Sequence, residues 1–367
     1  MIVDLPNTTT NAINHKLVDL RNSGGAVALG RVLSLVLVTD ELLADNAIEI
    51  ANDASREHPS RVLAIVRGNK RGTARLDAQI RVGGDAGASE VIVLRLYGPL
   101  TEHGSSLIVP LLLPDAPIVV WWPGLPPEAP SQDRIGRMAT RRITDVAQAK
   151  SPIRALMQLA AETAPGDTDL AWSRITRWRA LLAAALDQPP FEPVTRAVVT
   201  GASDSPSTEL LAGWLAFALK CPVTRKKTAP GTGMVAVTLV RPSGKVTIDR
   251  PDGNVATLSQ PGQPERRIAM PRRSDVECIT EELRRLDPDE LFADVLTEGL
   301  ATLHPPRPAR AESETNGAGA PNPDGPDGTT SDGGSDGQEP SWSRAFQVNN
   351  GSPSDGLDFM TTSTRKE

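Results

Sequence analysis

The chain has 367 residues, of which 39% are hydrophobic and 23% charged, so it is long enough for two globular domains. Its net charge is −6, and the stretch from Pro305 onward alone holds ten acidic against five basic residues. The remaining body carries a charge of −1, which gives no general attraction to nucleic acid or to an anionic membrane.

Cysteine content and hydropathy indicate the cellular compartment in which the protein is expected. The two cysteines, Cys221 and Cys278, are too few for a disulfide framework and show no metal-ligand spacing. The N-terminus lacks the features of a signal peptide, and no apolar run approaches the ~20 residues of a membrane span. We therefore expect a cytoplasmic protein with buried thiols and no metal or cofactor. A redox pair would require the two Cα atoms to lie within about 7 Å.

Residues 1–26 are polar and weakly patterned, and we expect them to form a flexible arm before an α/β domain predicted over 27–150. Two continuous apolar runs in this domain, Val32–Val38 and Arg61–Val66, are typical of strands covered on both faces. A helical pattern between them completes a strand–helix–strand unit. The alternating and apolar stretches on either side of Gly83–Gly87 predict a hairpin or an edge strand.

The most informative segment is Pro117–Pro127, where a strand-forming run meets two adjacent tryptophans and then a Pro-Gly stop. Neighbouring side chains of a strand point to opposite faces, so only one indole can face a given layer. The other must meet a second layer, a helix or another protein. Because only 3% of the chain is aromatic, we interpret Trp121 and Trp122 as candidates for a partner-binding surface, with at least one indole in the core.

A helical connector is predicted over residues 151–190. Its second helix, expected to run over Asp169–Leu186, carries basic and aromatic side chains together. Arg174 and Arg177 lie on nearly the same face of this helix, beside Trp178. Mixed Arg and Trp surfaces are enriched at protein interfaces, so these three residues join the two tryptophans as candidate partner contacts.

A second α/β domain is predicted over residues 191–304. A strand and a capped helix are followed by apolar stretches between Pro-Gly turns, which is typical of an antiparallel meander. Ser274 and Glu277 form a capping-box pattern at the start of the closing helices. The sequence thus predicts an α/β protein of two lobes with mixed sheets, joined by a helical segment. Residues 305–367 are too polar to offset their ordering entropy, and we expect a disordered acidic tail.

Two loops invite a catalytic interpretation. His103 lies beyond the predicted end of a strand, where α/β folds place ligands, but the chain has no nucleophile elbow and no clear acid partner. The turn Gly201–Ser207 joins a strand to a helix but lacks the dinucleotide and phosphate-loop glycine patterns. An enzyme or a binding module acting on a phosphorylated sugar would need a cleft that joins these two loops. We expect no catalytic residues.

Five blocks carry a family resemblance, and they are Arg31–Leu37, His58–Leu63, Glu90–Tyr97, Pro117–Gly124 and Glu209–Leu215. With these blocks, the fourth of which is the most distinctive, the sequence resembles the actinobacterial glucose-6-phosphate dehydrogenase assembly proteins, the OpcA family. The resemblance implies a non-catalytic assembly factor or allosteric activator whose partner is that dehydrogenase. The enzyme starts the oxidative pentose phosphate pathway and supplies NADPH. The phosphorylated-sugar enzyme or binding module remains the alternative.

Overall fold

The computed structural model describes residues 1–23, 31–83 and 90–304. The acidic tail that we expect to be disordered, residues 305–367, lies outside the described residues. Within them the fold is α/β with two mixed sheets, which confirms the predicted fold class.

The strands fall into two groups along the chain. The first group consists of β1 (Ile2–Leu5), β2 (Leu33–Asp40), β3 (Ser60–Arg67), β4 (Arg75–Arg81), β5 (Glu90–Tyr97), β6 (Ile118–Trp121), β7 (Arg141–Thr144) and β8 (Asp167–Asp169). The second consists of β9 (Arg196–Ala202), β10 (Val223–Thr228), β11 (Met234–Arg241), β12 (Gly244–Asp249), β13 (Val255–Ser259) and β14 (Arg266–Ala269). Each group forms its own sheet.

Helices pack on these sheets or connect them. Their bounds are α1 (Thr10–Ser23), α2 (Ala44–Ala54), α3 (Gly104–Ile108), α4 (Pro152–Glu162), α5 (Leu170–Ser173), α6 (Thr176–Leu186), α7 (Pro206–Leu219), α8 (Asp275–Arg284), α9 (Glu290–Asp294) and α10 (Leu300–Leu303). A π-helical turn at Val295–Gly299 joins the last two. The predicted capping box is confirmed at the start of α8, where Ser274 and Glu277 satisfy each other's backbone N–H groups.

The first sheet has the strand order β1-β4-β5-β3-β2-β6-β7-β8. From β5 to β8 all neighbours are parallel, whereas β4 is antiparallel to β5. When these six parallel strands are numbered by their order in the chain, their order across the sheet from β5 to β8 is 3-2-1-4-5-6. This is the strand order of the Rossmann fold, in which the crevice between the first and fourth strands is the usual ligand position.

Both faces of the first sheet are covered, as the continuous apolar runs predict. Leu35 and Leu37 pack on one side with α2 and α8, whereas Val36 and Val38 pack on the other side with α1. All but the last residue of β2 and of β3 are buried. An apolar run without alternation therefore indicates helices on both faces of these central strands.

The expected flexible arm is corrected for residues 2–23, which form β1 and α1. Ile13, Leu17 and Leu20 are spaced so that they share one helix face, and they cover the outer side of the first sheet. Arg21 of α1 reaches the buried carboxylate of Glu90 at 3.1 Å. The spacing of the three apolar residues was the available signal, and the polar residues between them obscured it.

The second sheet has the order β10-β9-β11-β12-β13-β14, with β9 and β10 parallel and the remaining neighbours antiparallel. The predicted meander is therefore present. One face packs under α7, where Leu210, Leu211 and Trp214 are fully buried. The lobe is thus a single-layer sheet backed by helices on one side.

The two lobes are interleaved in sequence. Strand β8 lies in the predicted connector 151–190 but belongs to the first sheet, where it pairs with β7. Helix α8 follows the second sheet in sequence, yet its residues Cys278, Ile279 and Leu283 pack against α2 and the first sheet. A three-residue strand carries too little pattern to be predicted, and helix docking across lobes leaves no local signal.

We predict that Leu17→Ala lowers the unfolding free energy by about 2–5 kcal/mol, because it leaves a cavity between α1 and the first sheet. Val18→Ala is the matched control, since Val18 lies next to Leu17 but is exposed. We expect this control to change stability by less than about 0.5 kcal/mol. Urea unfolding of the full chain measures both values. Equal, small effects would mean that α1 is not part of the folded core.

Candidate functional site

The double tryptophan lies at the end of β6, and its two indoles point to opposite sides of the first sheet. Trp121 packs in the cluster with α2 and α8, and Trp122 packs in the cluster with α1. Their exposed fractions are 1% and 2%. The expected partner surface is therefore wrong for this pair, because the chain itself supplies the layer on each side.

The loop after β6 folds back over Trp122. The backbone N–H of Trp122 donates to the carbonyl of Ile143 at 3.0 Å, which continues the pairing beyond the strand. A Cβ placed on Gly136 would lie 3.2 Å from the indole ring and 1.9 Å from the carbonyl oxygen of Pro130. Only glycine permits this close approach. The loop thus seals the second indole from solvent.

The expected Arg/Trp surface is a set of internal contacts. The single helix predicted there is divided into α5 and α6, and Arg174 lies between them. Its guanidinium donates to both carboxylate oxygens of Asp145, at 2.7 and 2.8 Å, and to Asp275 at 2.7 Å. These bonds neutralise the cation and connect α8 to the end of β7.

The other two members of that predicted surface are also engaged. Arg177 is partly exposed and pairs with Glu277 at 2.6 Å. Trp178 is buried in the core of the second lobe, with the guanidinium of Arg250 5.0 Å from its ring centroid. The predicted surface position is therefore wrong for Trp178, which is buried, whereas Arg177 remains partly exposed. The sequence showed the residue types but not the acidic partners contributed by α8.

A buried ion pair joins the first sheet to α8, the helix that the chain reaches only after the second sheet. Arg141 of β7 and Glu282 of α8 lie 2.5 Å apart and are both almost fully buried. The hydroxyl of Ser173 donates to the same carboxylate, and Arg141 also donates to the carbonyl of Asp287 at 2.7 Å. We call Arg141, Ser173 and Glu282 the β7–α8 seam. Buried charges of this kind are tolerated when each one is paired and hydrogen-bonded.

Asp169 lies at the end of β8 and is fully buried. Its carboxylate accepts hydrogen bonds from the hydroxyl of Thr144 and from the backbone N–H groups of Val146 and Ala171. Burial, and then the negative charge of Asp145, outweigh these bonds and raise its pKa from 3.8 to about 7. Between pH 3.8 and about 7, the Asp169 carboxyl is protonated in the folded protein but ionised in the unfolded chain. The group's contribution to stability therefore falls as pH rises between those two values.

The two cysteines are free thiols in different hydrophobic clusters. Cys278 is fully buried on α8, and burial raises the pKa of its thiol to about 12. Cys221 is partly exposed, and burial raises its thiol pKa as well. Both thiols are protonated at neutral pH, which makes them poor nucleophiles.

The turn from β2 to α2 lies at the crevice between β2 and β6, and a side chain of the turn itself binds its backbone N–H groups. The turn Thr39–Ala44 contains no glycine. The carboxylate of Asp40 accepts hydrogen bonds from the N–H groups of Leu42 and Leu43, at 2.9 and 3.1 Å. In dinucleotide-binding proteins the corresponding amides face the pyrophosphate. Here an internal anion occupies that position.

Two large apolar side chains are exposed beside this crevice. Leu42 is 93% exposed and Leu125 is 77% exposed. Their two loops meet at Gly124 and Leu43, because a Cβ on Gly124 would lie 2.8 Å from Leu43 Cδ1. Leu125 follows Gly124 in the chain, and Leu42 precedes Leu43. The loops after β2 and β6 therefore present two leucines on neighbouring segments. Sequence reasoning missed both, since a single leucine in a loop carries no pattern.

A cleft of about 510 Å³ lies beside the His103 loop. It is lined by Arg67, Thr101, Glu102, Gly104, Ser105, Gln132, Asp133, Arg134 and Ile135. None of these lining residues belongs to the turn Gly201–Ser207, so this cleft does not join the two loops. That turn instead starts α7, with the Ser205 side chain accepting from the N–H of Thr208.

The described ranges contain neither a metal-binding cluster nor a membrane-spanning helix. No group of three or more His, Cys, Asp or Glu residues there is placed to hold a metal ion. Among the same residues, no helix has both the length and the apolar character that a membrane crossing requires.

Two protein-family models match the chain. The one described as the glucose-6-phosphate dehydrogenase subunit N-terminal domain matches residues 51–161. The one described as the C-terminal domain of the same subunit matches residues 165–296. Together they cover more than half of the chain, and the boundary between them falls between α4 and β8. No curated protein sequence matches the chain.

Several solved structures show a distant likeness. An oxidoreductase from Sinorhizobium meliloti has 11% identity and a TM-score of 0.41, with 74% of this chain and 95% of that chain covered. A myo-inositol 2-dehydrogenase from Lactobacillus plantarum has 8% identity and a TM-score of 0.40, with 74% and 94% covered. At these TM-scores the likenesses carry no argument about function.

We predict that Glu282→Ala lowers the unfolding free energy by about 3–5 kcal/mol, because it leaves Arg141 buried without its counter-charge. Arg284→Ala on the same helix is the matched control. It breaks only the ion pair between Arg284 and Glu57, in which both side chains are more than half exposed, and such pairs contribute about 0–1 kcal/mol. Urea unfolding of each variant measures the difference. A Glu282→Ala effect as small as the control would contradict a structural role for the seam.

Proposed function

Given that the chain belongs to the OpcA family of glucose-6-phosphate dehydrogenase subunits, we propose that it binds this dehydrogenase and promotes its assembly and activation without itself catalysing a reaction. The observation that carries the proposal is the match of both family models, in sequence order, across the two lobes. Activation of the dehydrogenase would increase the supply of NADPH from the oxidative pentose phosphate pathway.

The turn at Asp40 supports a role without a cofactor. The first sheet has the strand order of a dinucleotide-binding fold, but the amides that would face a pyrophosphate are already bonded to the Asp40 carboxylate. A phosphate at this position would meet a negative charge instead of free N–H groups. The fold can therefore serve as a scaffold for a protein contact.

We place the contact with the dehydrogenase at the exposed leucines of the crevice. Leu42 and Leu125 together offer apolar surface on adjacent loops, and their burial against a partner would stabilise the complex. Activation further requires that the protein bind one state of the enzyme more tightly than another. A contact at the crevice leaves the three hydrophobic clusters and the β7–α8 seam undisturbed.

We predict that the purified full chain forms a complex with purified glucose-6-phosphate dehydrogenase and raises its rate. Light scattering after size exclusion measures the complex mass, and NADPH formation across a series of glucose-6-phosphate concentrations measures the rate. The chain alone should form no NADPH. If neither mass nor rate changes over the whole concentration series, the proposed function is wrong.

We predict that Leu125→Asp weakens binding to the dehydrogenase by about tenfold or more, because it places a charge in the apolar contact. Phe191→Asp is the matched control, since Phe191 is 70% exposed but belongs to the segment between α6 and β9 and not to either crevice loop. We expect its affinity to equal that of the wild type. If both variants bind normally while the wild type forms a complex, the contact lies elsewhere and the partnership stands.

A further inference from the structure

One face of the second sheet remains open within the described part of the chain. Along β9, β11 and β12, every second side chain, such as Val199, Leu239 or Ile248, belongs to the core under the helices. The side chains between them point to the opposite face. On three adjacent strands these are Val198, Thr200, Ala236, Thr238, Val240 and Thr247. We call these six residues the open face.

The composition of the open face suits a contact with another sheet. All six side chains are small or β-branched, uncharged and half-buried. Val198, Ala236 and Val240 belong to none of the hydrophobic clusters formed by the described residues. Because no long side chain projects from the centre, the surface is flat. A second flat sheet packs on such a surface at a distance of about 10 Å.

The sheet is large enough for a specific contact. Its six strands contain four to eight residues each. At the usual strand spacing and rise, they cover about 29 Å by 20 Å, which is about 600 Å² of flat area. Two such faces in contact would bury about 1,200 Å² in total, the lower end of the range for stable interfaces.

Strand β12 carries two opposite charges placed symmetrically on this side of the sheet. Lys245, Thr247 and Asp249 occupy alternate positions, so that the lysine and the aspartate lie on either side of the threonine. Both charged side chains are exposed, and neither forms an ion pair with another described residue. A charge pattern that is symmetric about Thr247, but of opposite sign, is complementary to itself when it is turned by half a revolution.

We propose that the open face is the interface of a homodimer with two-fold symmetry. An axis that runs across the strands at Thr247 places Lys245 of each copy opposite Asp249 of the other. The same rotation places Arg196 opposite Thr200 of the other copy, so like charges do not meet on β9 or β12. Contacts of this self-complementary kind are the commonest in soluble oligomers. The inference does not depend on the proposed dehydrogenase contact, which uses loops of the first sheet.

The mass of the full chain in solution, without the dehydrogenase, tests the proposal. Light scattering after size exclusion at about 50 µM should give twice the chain mass of 39.0 kDa. Thr247→Arg sets two cations against each other on the axis and should raise the dimer dissociation constant at least about tenfold. Thr297→Arg is the matched control, since Thr297 is exposed but lies in the helical layer of this lobe.

Two outcomes of these measurements would overturn the proposal. The first is a wild-type chain that is monomeric at about 50 µM, whether its open face is bare or is covered by another segment. The second is a Thr247→Arg variant that dimerises as tightly as the wild type and the Thr297→Arg control. Circular dichroism checks that both variants are folded.

Charge reversal tests which side chains meet. Lys245 and Asp249 are four residues apart on one strand, or about 13 Å, so salt screens them from each other within a chain. Lys245→Glu and Asp249→Lys should each raise the dissociation constant at least about fivefold, because each sets like charges against each other across the interface. The variant with both changes should return to within about twofold of the wild type. If it is weaker than either single variant, the proposed two-fold pairing is wrong.

Discussion

The ion pair between Arg141 and Glu282 fixes α8 to the first sheet. Arg141 belongs to the first sheet, whereas Glu282 belongs to a helix that the chain reaches only after completing the second sheet. Each charge is removed from water and depends on the other, so separation of α8 from β7 would leave two buried ions unpaired. This constraint anchors the chain that leaves the second sheet, because the helix that follows this sheet in sequence is part of the core of the first lobe.

Helix α8 also binds the basic residues of the connector. Arg174 binds Asp145 of the first lobe and Asp275 of α8, and Arg177 binds Glu277, two residues further along that helix. The first turn of helix α8 thus supplies carboxylates to both guanidiniums. An arginine cluster in a sequence of nearly balanced charge indicates internal pairing as readily as a partner surface. The distinction depends on where distant acidic residues fold.

Local patterns predicted the elements of the fold, and non-local contacts decided what the elements do. The run at β2 and the capping box at Ser274 are local, and both are found where expected. The burial of Trp121 and Trp122 depends on α1 and α8, which lie far away in sequence. The alternation of side chains along a strand predicted that the two indoles face different layers, but it did not identify those layers. The exposed Leu42 and Leu125 come together only through the parallel pairing of β2 with β6.

The carboxylate of Asp40 has a consequence for the folded population of the protein. A protein that leaves this turn open gains stability when a dinucleotide binds, so its folded fraction follows the concentration of the cofactor. In this chain the anion at the turn is covalently attached, and it is therefore present at the same local concentration under all conditions. The folded fraction of this protein therefore need not rise and fall with the concentration of a dinucleotide.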